Sequence, residues 1–426
     1  MKILHYTLGF PPTRSGGLVQ YVDGIMKEQK KLGHEVVALF PGRWNPFSNT
    51  ISFKIGEEFK GIPVIELINS LPLPLFGGIR KPADFMKKTD INLYEQLLIS
   101  INPSVVHIHT LMGIHKEFFI ACKNLRIKLV FTSHDYFGLA PEPTFFYGTH
   151  SYDENNTIEN WIAASTNAYT TLKLRMFQSR IYPVLRNIVR KIKTNKSNFN
   201  NMEVDEKSVD DKTIDEYAFL KQYYEEIFSL FDKIHFNSET AKRVYSNNLK
   251  NLPKNEVIAI TTDTVKDTSI VLQASNHPDR KTKIGYVGPD KYFKGFQEFI
   301  EITKSLGNLK YDYHTYGYVP KEKIINLTQH GKFNRAQVKE VYQSMDLIIV
   351  PSQWKETFGL IVVEALSFGR PVLVSDNVGS KDCVGLDFTF QNIADIENKI
   401  SRILKTNQRI KLKTLTEHAQ ELIDFY

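Results

Sequence analysis

The chain has 426 residues, of which 42% are hydrophobic and 24% charged, and it contains only two cysteines. These values predict a folded protein of two domains and exclude a disordered chain or a small disulfide-rich scaffold. The formal net charge of +7 favours anionic partners only mildly. No apolar run approaches the roughly 20 residues of a membrane-spanning helix. Met1–His5 opens a strand and lacks a signal-peptide pattern, so we expect a reducing, cytoplasmic location with unpaired Cys122 and Cys383.

In the first part of the chain, short apolar strands alternate with amphipathic helices. This alternation predicts a parallel, doubly wound sheet in a first domain of residues 1–232. The predicted strands are Lys2–Thr7, Glu35–Phe40, Pro63–Leu67, Val105–His109 and Lys128–Ser133. The predicted helices are Leu18–Lys31, Leu93–Ser100 and His115–Asn124.

An insertion at about residues 150–230 interrupts this pattern. Its stretch Leu172–Lys196 has eight basic residues and no acidic one, with apolar residues at three- and four-residue spacing. Such a helix can lie on an anionic membrane surface, or it can pack its apolar stripe on the domain. The stretch has too few aromatic side chains to indicate a nucleic-acid partner. A polar, acidic loop is predicted from Ser197 to Thr213.

The second part of the chain, residues 233–410, repeats the alternation of strands and helices, which predicts a second parallel sheet facing the first across a cleft. A final helix is predicted over Leu412–Tyr426, in a segment of residues 411–426. The predicted elements are Lys283–Val287, Lys294–Leu306, Tyr311–Tyr316, Arg335–Met345, Leu347–Val350, Gly359–Phe368 and Val372–Ser375.

Two glutamates, Glu356 and Glu364, stand with seven residues between them after the strand Leu347–Val350. A turn at Gly359 lets backbone N–H groups approach a phosphate, and a helix beginning there adds its positive dipole end. Glu364 can then accept hydrogen bonds from a ribose diol, and Glu356 can reach sugar hydroxyls. Two solvated glutamates around an ordinary turn are the alternative. The residues predicted to bind a nucleotide sugar here are Phe358, Gly359, Leu360 and Glu364.

The segment Pro351–Asp382 resembles the donor site of the retaining glycosyltransferases of the large family numbered four. The motif that carries the resemblance consists of Pro351-Ser352, Glu356, Phe358-Gly359-Leu360, Glu364-Ala365 and Gly369-x-Pro371-Val372. Phe10–Gly17, Val105–His109 and Phe131–Asp135 resemble the same family. The resemblance implies the GT-B fold, an α/β architecture of two Rossmann-like, doubly wound parallel-sheet domains facing a cleft. It also implies that the segment 411–426 returns to the first domain.

Glycines and histidines near the ends of the first domain's strands extend this site. Gly16 and Gly17 lie between a strand and a helix, and the resemblance implies that their turn touches the donor phosphate or the acceptor. The resemblance places His134 beside the transferred sugar, where we expect it to donate a hydrogen bond to a hydroxyl. A simple turn and a structural histidine are the alternatives. His107 and His109 alternate and should point to opposite faces; without metal-ligand spacing, no metal is predicted.

Lys294 is the predicted counter-charge for a diphosphate leaving group. It follows Gly288, a predicted donor-binding residue, in a strand-to-helix segment. The family usually has an arginine directly after this glycine, whereas this chain has Pro289; Lys291 could supply the second charge. Ala259–Asp263 is a further departure, because the family commonly has a Pro-Asn-Gly turn there.

Together these residues predict a retaining, metal-independent hexosyltransferase that uses a nucleotide diphosphate sugar, with UDP favoured, and no other cofactor. The predicted catalytic residues are His134, Glu356 and Lys294, and the backbone of His330–Phe333 should border the base. The expected acceptor is a lipid-linked glycan of bacterial surface polysaccharide synthesis, at the cytoplasmic membrane face; a protein acceptor stays open. The alternatives are a nucleotide-sugar epimerase or phosphorylase on the same fold, and a non-catalytic partner subunit, which Pro289 favours.

Overall fold

The chain folds into two lobes, each built on a parallel sheet. A computed structural model describes residues 1–11, 13–74, 77–179, 210–272, 279–405 and 408–426. Most of the predicted basic stretch (residues 180–196) and most of the predicted acidic loop (residues 197–209) lie outside the described residues. Within the described residues, no helix is both long and apolar enough to cross a membrane.

The sheet of the first lobe is parallel except for one edge strand. Its order is β10–β9–β6–β5–β1–β2–β4–β3, and only β3 runs antiparallel to its neighbour β4 among the described strands. The strands are β1 (Lys2–Tyr6), β2 (Glu35–Pro41), β3 (Ser52–Ile55), β4 (Val64–Ile68), β5 (Val105–Ile108), β6 (Lys128–Thr132), the separate hairpin β7 (Phe146–Tyr147) and β8 (His150–Ser151), then β9 (Lys233–Phe236) and β10 (Lys254–Val257).

The helices of the first lobe cover this sheet and begin at polar caps. Side chains of Asp90, Thr157, Thr170, Asp210 and Ser238 each accept a hydrogen bond from a backbone N–H of the helix that follows. The helices are α1 (Gly17–Lys31), α2 (Ile91–Ile101), α3 (Lys116–Asn124), α4 (Ile158–Ser165), α5 (Thr171–Phe177), α6 (Asp211–Ser229) and α7 (Glu239–Asn248). The predicted acidic loop is therefore wrong at its end, because Asp210 caps a helix that already contains Thr213.

The sheet of the second lobe is parallel throughout its described strands, in the order β14–β13–β12–β15–β16–β17. A separate antiparallel ribbon pairs β11 with β18. The strands are β11 (Ser269–Leu272), β12 (Thr282–Val287), β13 (Tyr311–Tyr316), β14 (Leu327–Gln329), β15 (Leu347–Val350), β16 (Val372–Ser375), β17 (Thr389–Phe390) and β18 (Gln408–Lys411). The helices are α8 (Phe296–Leu306), α9 (Val338–Gln343), α10 (Leu360–Ser367), α11 (Ile396–Ile403) and α12 (Leu415–Phe425).

The sheets do not divide at residue 233, where the second domain was predicted to begin. β9 pairs with β6 and β10 pairs with β9, so residues 233–257 complete the first sheet. Neither β9 nor β10 was predicted from the sequence; β10 is a polar edge strand, and the pairing with β6 assigns both strands to the first lobe.

The last helix, α12, packs against the first lobe. Its His418 ring lies 2.7 Å from the Tyr21 hydroxyl of α1. Beyond the helix, the Tyr426 hydroxyl lies 2.6 Å from Nδ1 of His107 in β5. Lys128 of β6 donates to the Tyr426 carbonyl. The chain passes between the lobes twice, near Thr261 and near Lys413, and these two segments are joined because the Thr261 hydroxyl donates to the Lys413 carbonyl at 2.7 Å.

The described start of the basic stretch packs on the first lobe. In α5, Leu174 is buried, and the Arg175 guanidinium donates to the Ser70 carbonyl instead of facing solvent. Burial lowers the pKa of Arg175 to about 10. Leu172 and Met176 are exposed. The basic stretch was predicted either to lie on a membrane or to pack its apolar stripe on the domain, and Leu174 of this stripe packs on the domain.

The predicted helix Lys294–Leu306 is interrupted at Gly295. A short 3-10 turn, Tyr292–Lys294, precedes it, and α8 follows it. Gly295 has a φ of 78°, and a Cβ there would lie 1.7 Å from the Pro351 carbonyl oxygen at the end of β15. Only glycine allows this approach, which brings Lys294 beside the loop after β15.

We expect Gly295→Ala to destabilise the protein more than Gly307→Ala, at the other end of α8. Both glycines have positive φ, but nothing lies within 4 Å of a Cβ at Gly307. Gly307→Ala should therefore cost about 1 kcal/mol for the backbone alone, and Gly295→Ala about 3 kcal/mol or more because of the added clash. Urea unfolding midpoints measure both, and equal losses would contradict the close approach to Pro351.

Candidate functional site

Two helix N-termini face each other across the cleft. β15, the loop Pro351–Phe358, α10 and β16 follow in the predicted order, and α10 begins directly after Gly359. Gly359 has a φ of 94°, and a Cβ there would lie 2.9 Å from Val378. On the other side, a Cβ at Gly17 would lie 3.5 Å from the Leu360 side chain. The first turn of α1 thus approaches the first turn of α10, and unpaired N–H groups at both can bind an anion.

Lys294 and Glu356 form an ion pair beside this helix N-terminus. Nζ of Lys294 lies 2.5 Å from Oε1 of Glu356, and Glu356 is 9% exposed. The same Nζ lies 4.9 Å from the centroid of the Trp354 ring, a distance typical of a cation–π contact. The Trp354 Nε1 is buried and makes no hydrogen bond within the described residues. Two of the predicted catalytic residues therefore meet, and Trp354, which the sequence did not single out, lies against them.

The loop that carries Glu356 is bonded to the first lobe on both sides of this residue. The Thr357 hydroxyl donates to the His134 carbonyl at 3.0 Å, and the Ser238 hydroxyl donates to the Thr357 carbonyl at 2.6 Å. The Tyr136 hydroxyl donates to the Lys355 carbonyl at 2.7 Å. His134 and Glu356 are thus brought to the same part of the cleft.

Glu364 lies in α10 and contributes to a small pocket between the lobes. The Tyr342 hydroxyl donates to Glu364 at 2.9 Å. Burial raises the pKa of Glu364, while Tyr342 and the Arg335 guanidinium act in the opposite direction. Arg335 also forms an ion pair with Asp263. The pocket is lined by Gln20, Tyr21, Thr261, Thr262, Asp263, Arg335, Leu360, Glu364 and Leu415.

Sequence reasoning missed the polar groups that surround Glu364. Arg335 and Tyr342 come from the α9 region and Thr262 from the interlobe segment, so only the tertiary fold brings them together. The altered segment Ala259–Asp263 offered one clue to these groups, because it carries two threonines and an aspartate in place of the turn that the family commonly has there.

His134 is half-buried at the cleft and joins a cluster of buried histidines. Its Nε2 lies 3.2 Å from Nδ1 of His109, and burial lowers the pKa of His134 to about 3. The expectation that His107 and His109 point to opposite faces is wrong: their ring centroids are 4.1 Å apart. Side chains alternate between the two faces of a strand, so residues two positions apart point to the same face, and this alternation brings the two rings together.

Three of these histidines lie close enough to share a metal ion. Ring nitrogens of His5, His107 and His109 lie within 4.8 Å of one another. Each of the six ring nitrogens already has a hydrogen-bond partner in the protein. The arrangement fits a hydrogen-bonded cluster, and we assign no metal to it.

The remaining predicted residues border the second sheet. Gly288 is buried, and its N–H donates to the Tyr316 carbonyl at 2.9 Å. Lys291 is exposed and directly precedes the 3-10 turn that ends at Lys294. The His330 ring stacks on Tyr316 with centroids 4.2 Å apart. A phosphate contact for Lys291 and a base contact for His330–Phe333 stay predictions.

Two family models match the chain. The model described as Glycosyltransferase Family 4 matches residues 15–172, and the model described as Glycosyl transferases group 1 matches residues 267–422. Together they cover more than half of the 426 residues and contain every predicted site residue. The chain belongs to this glycosyltransferase family. The predicted family is confirmed, and the candidate site lies where both halves of the glycosyltransferase meet.

Curated relatives of this glycosyltransferase include two proteins described as lying in a cps region. The chain is 21% identical over 393 residues to the "Uncharacterized 42.6 kDa protein in cps region" of Klebsiella pneumoniae, covering 88% of this chain and 85% of that protein. It is 27% identical over 159 residues to a 41.2 kDa cps-region protein of the same organism, covering 35% and 44%. It is 29% identical over 96 residues to the N,N'-diacetylbacillosaminyl-diphospho-undecaprenol alpha-1,3-N-acetylgalactosaminyltransferase of Campylobacter jejuni, covering 21% and 25%.

Solved structures show that the glycosyltransferase has the predicted GT-B fold. Sucrose-phosphate synthase from Thermosynechococcus elongatus superposes with a TM-score of 0.54 at 13% identity, covering 100% of this chain and 94% of that one. Anabaena HepE in complex with UDP and glucose superposes with a TM-score of 0.52 at 15% identity, covering 100% and 95%. At these identities the likeness concerns the fold alone.

We expect the Lys294–Glu356 pair to be energetically coupled. Lys294→Met leaves the nearly buried Glu356 carboxylate without its partner and should cost about 3 kcal/mol of unfolding free energy. Adding Glu356→Gln should recover about 2 kcal/mol, because the unpaired charge is then removed. The control is the solvent-facing pair Glu301–Lys304, in which Nζ of Lys304 lies 2.8 Å from Oε1 of Glu301; its coupling should be much smaller. Urea unfolding measures both cycles, and a coupling no larger than the control would contradict the buried pair.

Proposed function

We propose that this glycosyltransferase transfers a sugar from a UDP-sugar to a hydroxyl with retention of anomeric configuration. The observation that carries the proposal is the ion pair Lys294–Glu356 beside the N-terminus of α10, with Glu364 one turn further along that helix. A cation and free N–H groups suit a diphosphate, and carboxylates on either side suit ribose and sugar hydroxyls. The structure of HepE with UDP and glucose, on the same fold, supports UDP as the nucleotide.

In the proposed mechanism, charge develops on the diphosphate as its bond to the sugar breaks. Lys294 and the N–H groups after Gly359 stabilise that charge, and we propose that they do so without a metal ion. Glu364 holds the ribose, while Glu356 and His134 orient the sugar. With the loop Lys355–Thr357 bonded to the first lobe, the lobes limit access of water to the reacting carbon.

We propose a lipid-linked glycan of bacterial surface polysaccharide synthesis as the acceptor. The Campylobacter relative is named for an undecaprenol-linked acceptor, and the Klebsiella relatives are named for the cps region, which supports this class. An anionic membrane surface as a further partner is supported by α5. There Leu172 is 63% exposed and Met176 is 51% exposed, with the exposed Lys173 between them.

We expect Glu364→Gln to weaken UDP binding about 30-fold, because a neutral amide replaces a charged hydrogen-bond acceptor. Lys294→Met should instead reduce turnover about 100-fold with a smaller effect on UDP affinity. Glu301→Gln, at a glutamate of α8 whose side chain is 45% exposed, is the control and should change neither value. Titration calorimetry with UDP and a transfer assay over a panel of nucleotide sugars measure these effects.

The same experiment separates the competing functions. Failure to bind any nucleotide would favour a non-catalytic partner subunit, the function that Pro289 suggests. Release of a free sugar isomer without an acceptor would favour an epimerase. Wild-type behaviour of both Glu364→Gln and Lys294→Met would contradict the assignment of the site.

We expect UDP affinity to fall as the solution is acidified. Ribose binding needs the ionised form of Glu364, whose pKa burial raises above its ordinary value of 4.5. Affinity should therefore be complete above the raised pKa and fall as the pH decreases through it. Tyr342→Phe removes a hydrogen bond that favours the ionised form, so the midpoint should move to higher pH. Calorimetry between about pH 5 and about pH 8 measures this shift. Tyr313→Phe, whose hydroxyl bonds the Gly307 carbonyl instead, should leave the midpoint unchanged.

We expect the double variant Leu172→Asp/Met176→Asp to reduce co-sedimentation with anionic vesicles about tenfold, because two apolar contacts are lost. The control is Leu309→Asp/Leu386→Asp, which alters two side chains of the second lobe that are 89% and 88% exposed. Equal binding by wild type and the α5 variant would contradict membrane contact through α5.

A further inference from the structure

A continuous line of hydrogen bonds runs from His134, at the cleft, to the backbone carbonyl of Ile258 inside the first lobe. We call it the histidine chain. Its members beyond His134 are buried, and burial lowers the pKa of each of its five histidines, so the rings are neutral. In order from the cleft, the side chains are His134, His109, His5, Gln29, Tyr426, His107, Thr132 and His235.

The inner end of the histidine chain has only one possible direction. Nε2 of His235 lies 2.7 Å from the Ile258 carbonyl, which can only accept, so Nε2 carries the hydrogen. Nδ1 of His235 must then accept from the Thr132 hydroxyl at 2.9 Å. Thr132 has one hydrogen to give, so it accepts from Nε2 of His107 at 2.6 Å. Nδ1 of His107 in turn accepts from the Tyr426 hydroxyl at 2.6 Å.

The same logic continues outward to the cleft. Tyr426 has given its hydrogen to His107, so it accepts from Nε2 of Gln29 at 2.9 Å, which turns Oε1 of Gln29 toward His5. Nε2 of His5 therefore donates to Gln29 at 2.7 Å. Nδ1 of His5 accepts from Nε2 of His109 at 2.9 Å. Nδ1 of His109 then accepts from Nε2 of His134 at 3.2 Å.

We propose that the histidine chain fixes His134 as the neutral tautomer with hydrogen on Nε2, which leaves the Nδ1 lone pair for the cleft. Tyr426, Gln29 and Thr132 are positioning residues, because they set the tautomer without touching the site. Within the described residues, Nδ1 of His134 makes no hydrogen bond. This nitrogen is not completely buried, so a ligand in the cleft can reach it. Reversing the chain would place two acceptors, Nε2 of His235 and the Ile258 carbonyl, 2.7 Å apart.

The proposed tautomer changes the role expected for His134. Its only ring hydrogen is committed to His109, so His134 accepts a hydrogen bond from a sugar hydroxyl and does not donate one. This role in sugar binding rests on the proposed function, whereas the tautomer itself depends only on the geometry inside the first lobe.

Nitrogen NMR of the full-length protein, labelled with ¹⁵N at histidine, tests the tautomer. The His134 signals are assigned by comparison with His134→Gln. We expect Nε2 of His134 to show the shift of a protonated nitrogen and Nδ1 that of an unprotonated one. A hydrogen on Nδ1, or similar shifts at both nitrogens, would overturn the proposal, whether or not variants at other positions of the histidine chain fold.

Two variants that each remove one hydroxyl test the chain itself. Tyr426→Phe and Thr132→Val cut it at different points, neither in contact with His134, so the two His134 nitrogen shifts should move toward each other. Lys128→Met is the control, because it removes the bond to the Tyr426 carbonyl and keeps the hydroxyl. Unchanged His134 shifts in both folded chain variants, or the same change in Lys128→Met, would overturn the directional role.

Titrations with UDP and with the UDP-sugar that stabilises the protein most against heat test the hydroxyl contact. The Nδ1 shift of His134 should move with the UDP-sugar and not with UDP. An unmoved shift at saturation would overturn the contact. Failure of every nucleotide sugar to bind would instead overturn the proposed function and leave the tautomer result standing.

Discussion

The geometry of the candidate site depends on three hydrogen bonds between the lobes that hold the loop Lys355–Thr357. They reach this loop from His134, Tyr136 and Ser238 of the first lobe. Two of the bonds are accepted by backbone carbonyls of the loop, at Lys355 and Thr357, and do not depend on its side chains, whereas the third is donated by the Thr357 hydroxyl. Because Glu356 lies between the bonded residues, its distance to Lys294 and to His134 is set by the fit of the two lobes.

Burial gives the two sides of the cleft different electrostatic properties. On the second lobe, the start of α10 provides positive potential, and the ion pair with Glu356 holds the Lys294 cation beside it. On the first lobe, the neutral histidines offer directed hydrogen bonds without charge. For the proposed reaction, this difference would place the diphosphate at the second lobe and the uncharged sugar against the first.

Local sequence patterns predicted much of the fold, and long-range contacts explain what they missed. The strand Leu347–Val350 and the helix after Gly359 were predicted because apolar runs and a glycine turn are local signals. The break at Gly295 results from its close approach to Pro351, which is distant in sequence. The local periodicity does not show this contact, so the predicted helix ran through Gly295. The site surroundings follow the same rule: the two glutamates were found from their spacing, whereas Arg335 could be assigned to the pocket only from the tertiary fold.

The position of α12 has a consequence for how the protein is made. Residues 415–426 follow the second lobe in sequence but cover the interior of the first, where Tyr426 meets His107 and Gln29. A ribosome releases the amino-terminal part first, and domains generally begin to fold in that order. The first lobe therefore emerges with its polar interior open, and its final packing must wait until translation has passed through the whole second lobe.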